Sequence, residues 1–265
     1  MDPSDIQTGQ RRRQLLTPGD PAPVVTINQA GSSAIVLIGD HAGRAVPQRL
    51  AGLGVPSAAM ETHIAWDIGV AALGALLADA LDAPFIAQTY SRLVIDCNRR
   101  PGETDSVPPM SDGVAIAGNV GLRAADVEAR LAEIYGPYQA AIAAALEGRA
   151  QQGRPTVLVS LHSFTPVFQG HVRPWRYGVL HRGDSDLSRG MLKALRAALG
   201  DAAGDNQPYA MDPVDNTVPL HADPRSLDYL ELEVRQDLIA DPPGQGAAAA
   251  FITRCLGEAM ADFQA

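Results

Sequence analysis

The stretch AIVLIGDHAG occupies residues 34–43. Its first five residues form a continuous apolar run with β-branched members, a pattern typical of a strand buried on both faces of a sheet. The run leads into Gly39, Asp40 and His41, so the predicted strand presents polar groups at its carboxyl end. Comparable apolar runs predict further strands at residues 84–87, 93–95, 157–159, 178–180 and 229–234.

Stretches rich in alanine and leucine separate these runs and predict helices. Strands that alternate with helices indicate an α/β layer fold. The predicted helices span residues 62–81, 124–146, 187–199 and 247–263.

Three segments rich in proline, glycine or polar residues predict long loops, at 101–119, 163–175 and 201–225. Loops of this length often cover a site, and we expect all three around one edge of the sheet. No change of composition marks a linker after residue 20. We therefore expect a flexible leader over residues 1–20 and a single domain over residues 21–265.

The composition limits the classes of function. The chain has 265 residues, 46% of them hydrophobic, and 30 acidic against 21 basic side chains give a net charge of −9. This acidic balance argues against a nucleic-acid partner. No apolar run approaches the roughly 20 residues that a membrane span needs, so we expect no membrane partner and a cytoplasmic protein. Cys97 and Cys255 are too few for a disulfide framework.

Two histidines are placed where a sheet presents ligands. His41 and His162 each follow an apolar strand run, in Ile-Gly-Asp-His and Val-Ser-Leu-His. Open α/β sheets bind ligands outside the carboxyl ends of their strands, so the pair suggests a metal. A catalytic zinc generally takes three protein ligands. Asp67 is the leading third candidate, and His63, four residues earlier on the same predicted helix, is the alternative.

Two glutamates and three side chains around another strand are further candidates. Glu231 and Glu233 point to one face of their strand; there they form either a general base beside a metal or an ordinary polar face towards solvent. The second group surrounds residues 93–97 and suits carboxylate recognition, although arginines at strand ends are also commonly just exposed. Its members are Arg92, Asn98 and Arg99.

Motifs of other enzyme classes are missing from the sequence. There is no Gly-x-Ser-x-Gly turn, which argues against a serine hydrolase of that type. There is no glycine-rich phosphate loop after a strand, which argues against a nucleotide cofactor.

The chain resembles the N-formylglutamate amidohydrolase family in five motifs that occur in the same order, over about residues 33–257. That family is itself similar in fold to zinc carboxypeptidases and aspartoacylase. Two further segments also look like family segments, without an assigned role: RPW at 173–175 and GDNQPY at 204–209, around Asn206. The five motifs are GDHAG at 39–43, HIAWDIG at 63–69, SRLVIDCNR at 91–99, SLHSF at 160–164 and EVRQDL at 233–238.

The resemblance implies a three-layer α/β/α fold with a central mixed sheet, of the zinc-carboxypeptidase-like (phosphorylase/hydrolase-like) type. It also implies one Zn²⁺ ion held by His41, Asp67 and His162, with Glu233 as the general acid/base. The substrate would be a small-molecule N-acyl amino acid, and the reaction would convert N-formyl-L-glutamate and water to formate and L-glutamate. Arg92, Asn98 and Arg99 would hold its carboxylate.

Two alternatives remain beside this function. One is hydrolysis of another N-acyl amino acid or a short peptide, and the other is a non-catalytic relative that binds a carboxylate or a metal. The chain departs from its wider fold relatives, which bind zinc through His-x-x-Glu, because Arg44 stands three residues after His41. The carboxylate ligand must therefore come from elsewhere. His221, in a predicted loop, is expected to be a surface histidine outside the site, and the alternative is that it adds a polar contact to the site.

Overall fold

A seven-stranded mixed sheet forms the centre of the protein. The computed structural model describes residues 14–211 and 213–263. In spatial order the strands are β1, β3, β2, β6, β11, β9 and β10, of which β3, β2, β6 and β11 are mutually parallel. Their bounds are β1 Val24–Ile27, β2 Ile35–Gly39, β3 Phe85–Gln88, β6 Val157–Phe164, β9 Tyr177–Leu180, β10 Ala203–Asp205 and β11 Tyr229–Arg235.

Helices cover both faces of this sheet. α2, α5 and α7 pack on one face, and α4 and α6 pack on the other, which gives the three-layer α/β/α arrangement. The predicted α/β fold with a mixed sheet is confirmed. The α-helices are α1 Ser57–Met60, α2 Val70–Ala80, α3 Ala124–Arg130, α4 Gly136–Gln151, α5 Asp186–Leu199, α6 Thr217–Ala222 and α7 Pro242–Phe263, and a π-helical turn, Leu131–Tyr135, joins α3 to α4.

The face of the sheet that packs on α4 changes from apolar to polar towards the carboxyl ends of β6 and β11. In β6, Leu158 packs in the core on the α4 side, whereas Ser160 and His162 continue the same face with polar groups. In β11, Glu231 and Glu233 do the same after Tyr229. Because alternate residues of a strand share a face, the polar side chains gather at one end of the sheet.

One predicted strand does not exist. Residues 93 and 94 lie in a turn and residue 95 has no regular secondary structure, although all three side chains are buried. Ser91 explains this local structure: its hydroxyl accepts the Leu93 N–H and its carbonyl accepts the Val94 N–H, which leaves neither donor for a neighbouring strand. An apolar run of three residues was sufficient for burial but not for pairing.

The helix predicted from residue 62 begins only at Val70. The preceding Gly69 has a left-handed backbone with φ of 84°, and a Cβ there would meet the Ile239 carbonyl oxygen at 2.2 Å. This glycine therefore ends the turns that carry residues 62–68 and sets the start of the helix. Asp67 consequently lies in a turn ahead of α2 rather than on a helix.

The three predicted loops contain short elements. Residues 101–119 include a hairpin of β4 and β5, residues 163–175 include one of β7 and β8, and residues 201–225 include β10 and α6. Of the predicted leader, residues 1–13 lie outside the described residues, while Leu15 is buried and its N–H donates to Glu133. The hairpin strands are β4 Met110–Ser111, β5 Val114–Ala115, β7 Val167–Phe168 and β8 His171–Val172.

None of the helices in the described part of the chain is long and apolar enough to cross a bilayer.

Candidate metal centre and active site

Three buried side chains from distant parts of the chain meet at the carboxyl end of the sheet. His41 follows β2, His162 lies inside β6, and Asp67 lies in the turn before α2. Each can offer one ligand atom such that all three atoms lie within 4.8 Å of one another. The Asp67 N–H also donates to the His41 carbonyl at 2.9 Å, which fixes the two segments together. The group could therefore hold a metal ion.

Each imidazole is held through Nε2, and its Nδ1 faces Asp67 Oδ2, at 3.6 Å for His41 and 3.1 Å for His162. Asp96 Oδ1 lies 2.7 Å from His41 Nε2, and Ser160 Oγ lies 3.0 Å from His162 Nε2. His41 Nδ1 is buried without a hydrogen-bond partner among the described residues. A carboxylate or hydroxyl behind each ring is the usual way in which metal-bound histidines are oriented. Two nitrogens and one carboxylate oxygen are a donor set suited to zinc.

The electrostatics of this centre favour a cation. Burial alone would lower the pKa of His162, but the hydrogen bond and the charge of Asp67 outweigh it and raise the pKa to about 10. The pKa of Asp67 is correspondingly held well below its usual range by the two histidines, against the effect of burial. A site that retains a proton so strongly presents a negative potential to any positive ion.

Glu231 and Glu233 flank the centre from the neighbouring strand. Glu233 is opposite His162 in the parallel pairing of β11 with β6, and Glu231 Oε1 lies 3.4 Å from His162 Nε2. Both side chains are buried, with 3% and 5% exposure, and both line the cavity. The alternative that they form a solvent-facing polar surface is therefore wrong.

Burial changes the acidity of both glutamates. It raises the pKa of Glu233 to about 7 and that of Glu231 to about 8, with the charge of His162 opposing each shift. Each also has one carboxylate oxygen that lacks a hydrogen-bond partner among the described residues. A carboxyl group with a pKa near neutral can both accept and release a proton at physiological pH.

The three predicted carboxylate-binding residues line the same cavity, each with partners of its own. Arg92 contacts Asp96 at 2.8 Å and Asp67 at 3.4 Å. Arg99 contacts Asp105 at 2.9 Å. The side-chain oxygen of Asn98 accepts hydrogen bonds from the backbone N–H groups of residues 216 and 217, at the start of α6. Its amide nitrogen donates to Asp215 Oδ1 at 3.4 Å.

His63 and Arg44 lie apart from the three ligand candidates. His63 Nε2 faces Asp112 at 3.4 Å, at the outer part of the cavity. Arg44 forms an ion pair with Glu61 and stacks 5.0 Å from the centre of the Trp66 ring. Asp67, rather than His63, is thus the residue that the fold brings to His41 and His162.

The expectation that His221 is a surface residue is wrong. It lies in α6 with 3% exposure, and its Nε2 is 2.7 Å from Gln139 Oε1, so Nε2 carries the hydrogen. Nδ1 is buried without a partner among the described residues. Burial, with the charge of Arg225, lowers the pKa from 6.5 to about 4, because a proton on Nδ1 would have no acceptor.

His221 should therefore make the fold acid-sensitive. The unfolded chain takes up this proton near pH 6.5 and the folded chain only near pH 4, so stability is complete above pH 6.5 and falls as the pH drops towards 4. The free energy of unfolding should fall by up to about 3 kcal/mol over this range. Denaturant unfolding of wild type and His221→Gln at pH 7 and pH 4.5 measures this fall, which should be smaller in the variant. Equal losses would contradict the assignment.

The cavity around these groups has a volume of about 260 Å³. This lies just below the roughly 300–1,000 Å³ of pockets for drug-sized ligands and fits a small metabolite. Thr165, Tyr209 and Asp215 also line the cavity, and none of them was predicted as a site residue from the sequence. Of the three, only Tyr209 belongs to a segment that resembles the family, residues 204–209.

Comparisons with known proteins agree with this architecture. The structure of the Atu2144 gene product from Agrobacterium tumefaciens is 34% identical, with a TM-score of 0.92 over 95% of this chain and 100% of that one. An N-formylglutamate amidohydrolase from Ralstonia eutropha JMP134 shares the fold at 20% identity, with a TM-score of 0.63 over 92% and 99% of the two chains.

No curated protein matches the sequence significantly. The family model described as N-formylglutamate amidohydrolase matches residues 33–240, which is most of the chain. These residues carry all the groups of the metal centre, both glutamates and the three side chains Arg92, Asn98 and Arg99. The protein belongs to the N-formylglutamate amidohydrolase family.

Proposed function

We propose that the protein is a zinc-dependent amidohydrolase that converts N-formyl-L-glutamate and water to formate and L-glutamate. The observation that carries the proposal is the buried His41, Asp67 and His162 group with Glu233 beside it in one cavity. Family membership supports the same amide chemistry. The acidic chain and the small cavity fit a small-molecule substrate better than a polymer.

The residues of the centre fit one Zn²⁺ ion. His41 and His162 would supply their Nδ1 atoms and Asp67 a carboxylate oxygen, which leaves room for water, as in catalytic zinc sites. When bound, the ion would lower the pKa of water towards roughly 7 and polarise a carbonyl group. Asp96 and Ser160 would hold the two rings in the orientation that presents Nδ1.

Glu233 would move the proton that hydrolysis requires. Its carboxylate takes a proton from the attacking water as the water oxygen bonds to the formyl carbon. The resulting carboxylic acid then gives that proton to the amide nitrogen while the carbon–nitrogen bond breaks, which releases formate and the free amino group. A pKa near 7 suits both halves of this cycle, because neither form is strongly favoured at neutral pH.

The arginines would position the substrate for this attack. Arg99, with Asn98, would bind the α-carboxylate, and Arg92, which is held by Asp67 and Asp96, would place positive charge near the developing oxyanion. A substrate held at its acid group presents its amide carbonyl to the water in one orientation, and such positioning accounts for a large part of enzymatic rate enhancement.

The metal and the substrate can be tested together. We expect purified protein to release glutamate from N-formyl-L-glutamate, to lose this activity after chelation, and to regain it when one equivalent of zinc is added. Metal content measured alongside separates the two questions. Bound zinc without turnover would redirect the search to other N-acyl amino acids, and a protein with neither metal nor turnover would contradict the proposal.

A further inference from the structure

The structure brings together two segments that the mechanism does not use. Arg173 follows the β7–β8 hairpin, and Tyr209 ends the segment around Asn206. The Arg173 guanidinium lies 4.7 Å from the ring centre of Tyr209, 4.7 Å from that of Phe168 and 5.9 Å from that of Phe164. Three aromatic rings thus surround one cation beside the cavity.

Arg173 differs from the other arginines at this end of the sheet in lacking an anion. Arg92 and Arg99 each pair with carboxylates, whereas among residues 14–211 and 213–263 no carboxylate oxygen lies within 4 Å of Arg173. Its guanidinium donates from Nη1 to the Thr165 carbonyl at 3.4 Å and also interacts with the Tyr209 hydroxyl, while its backbone N–H donates to the Pro166 carbonyl. The residue is nevertheless only 8% exposed.

The rings can keep such a cation buried without neutralising it. Aromatic faces attract a guanidinium, and stacking covers its faces while the N–H edges stay free in the plane. Among the described residues, none of its N–H groups is paired with a carboxylate, and their partners are the Thr165 carbonyl and the Tyr209 hydroxyl. The planar edge of a guanidinium matches the two oxygens of a carboxylate, which an arginine binds through paired hydrogen bonds.

Arg173 packs against the lining of the cavity. Phe164, Thr165 and Tyr209 line the cavity, and the Arg173 guanidinium contacts each of them. Thr165 is three residues beyond His162, so this part of the lining is at most about 10 Å of chain from the metal centre. An extended N-formylglutamate measures about 6 Å from its formyl carbon to its side-chain carboxyl carbon, which is within that span.

We infer that Arg173 determines specificity by binding the side-chain carboxylate of an acidic substrate, with Arg99 left for the α-carboxylate. This inference rests on the proposed function, because it names the group that distinguishes glutamate from a neutral amino acid. Tyr209 and Phe168 are then positioning residues that hold the guanidinium against the lining of the cavity.

The test compares N-formyl-L-glutamate with N-formyl-L-glutamine, which has the same shape without the side-chain charge. Arg173→Gln should lower kcat/KM for the acidic substrate by roughly 10- to 100-fold, mainly through KM, and leave the neutral one nearly unchanged. Arg173→Lys, which keeps a point charge, should restore part of the preference. Arg176→Gln removes an exposed arginine three residues away and should leave the ratio unaltered.

A binding measurement separates this inference from the proposed function. Titration calorimetry of the zinc-loaded protein with L-glutamate and L-glutamine requires no turnover. Wild type should prefer glutamate by roughly 10-fold or more, and Arg173→Gln should bind the two alike. Equal binding by wild type, or equal losses on both ligands in a folded Arg173→Gln, would overturn the role of Arg173. Preferential binding without hydrolysis would instead count against the proposed reaction alone.

Discussion

Replacement of Glu233 by glutamine is expected to reduce kcat for N-formyl-L-glutamate by about 10³-fold, because general acid–base catalysis contributes on this order. The amide keeps the size of the carboxyl group but cannot take a proton from water. Glu233 is not one of the three ligand candidates, so the zinc content should stay at one equivalent per chain. Steady-state kinetics and metal analysis on the same preparation measure both quantities.

Two comparison variants sharpen this result. Glu147→Gln changes an exposed glutamate on α4 and should leave kcat unaltered. Glu231→Gln alters the carboxylate that contacts His162 Nε2, and we expect it to weaken zinc binding by about 10- to 100-fold, a loss that added zinc can offset. Full activity of Glu233→Gln would remove Glu233 from the mechanism and make Glu231 the next base to consider.

Loss of His162 should abolish both metal binding and turnover. His162→Ala removes one of three protein ligands, so zinc affinity should fall by more than the roughly 10- to 100-fold that loss of an outer hydrogen bond costs. It also leaves Asp67 without the contact at 3.1 Å that orients its carboxylate. Equilibrium dialysis against a zinc buffer and assays with excess zinc should show weak binding and background hydrolysis.

The exposed His171 provides the matched control for this variant. Among the described residues its ring makes only one hydrogen bond, which Nδ1 donates to the Gln169 carbonyl, so His171→Ala should keep both zinc and activity. Circular dichroism should show that both alanine variants are folded. Stoichiometric, tightly bound zinc in His162→Ala would mean that the metal is held by other residues.

The strands near the centre of the sheet could be predicted from the sequence alone. Nearly all residues of β2, β6, β9 and β11 are buried, and the apolar residues that this requires can be recognised without a structure, although Glu231 and Glu233 interrupt the run in β11. The edge strands β1 and β10 were missed. β1 is partly exposed and β10 has only three residues, so neither leaves a clear pattern. The false strand at residues 93–95 shows that burial alone does not imply pairing.

The site residues that could be predicted from the sequence are those that lie at the carboxyl end of a strand. His41 and His162 were found in this way, and their carboxyl-end positions brought them together. Asp96 was not found, because its contact with His41 joins residues 55 positions apart that no local pattern connects. Arg173 and Tyr209 belong to segments with little periodicity, and only the packing of two loops shows their relation.

The pairing of β11 with β6 has a consequence for how this chain can change in length. Glu231 and Glu233 face the cavity because they alternate with the core residues Leu230, Leu232 and Val234. Removing a single residue before Glu231 would shift the alternation and exchange leucines for carboxylates on both sides of the strand. Deletions and insertions should therefore be tolerated better in the β4–β5 hairpin than in this strand, where one lost residue would remove the proton-transfer group and disrupt the core at once.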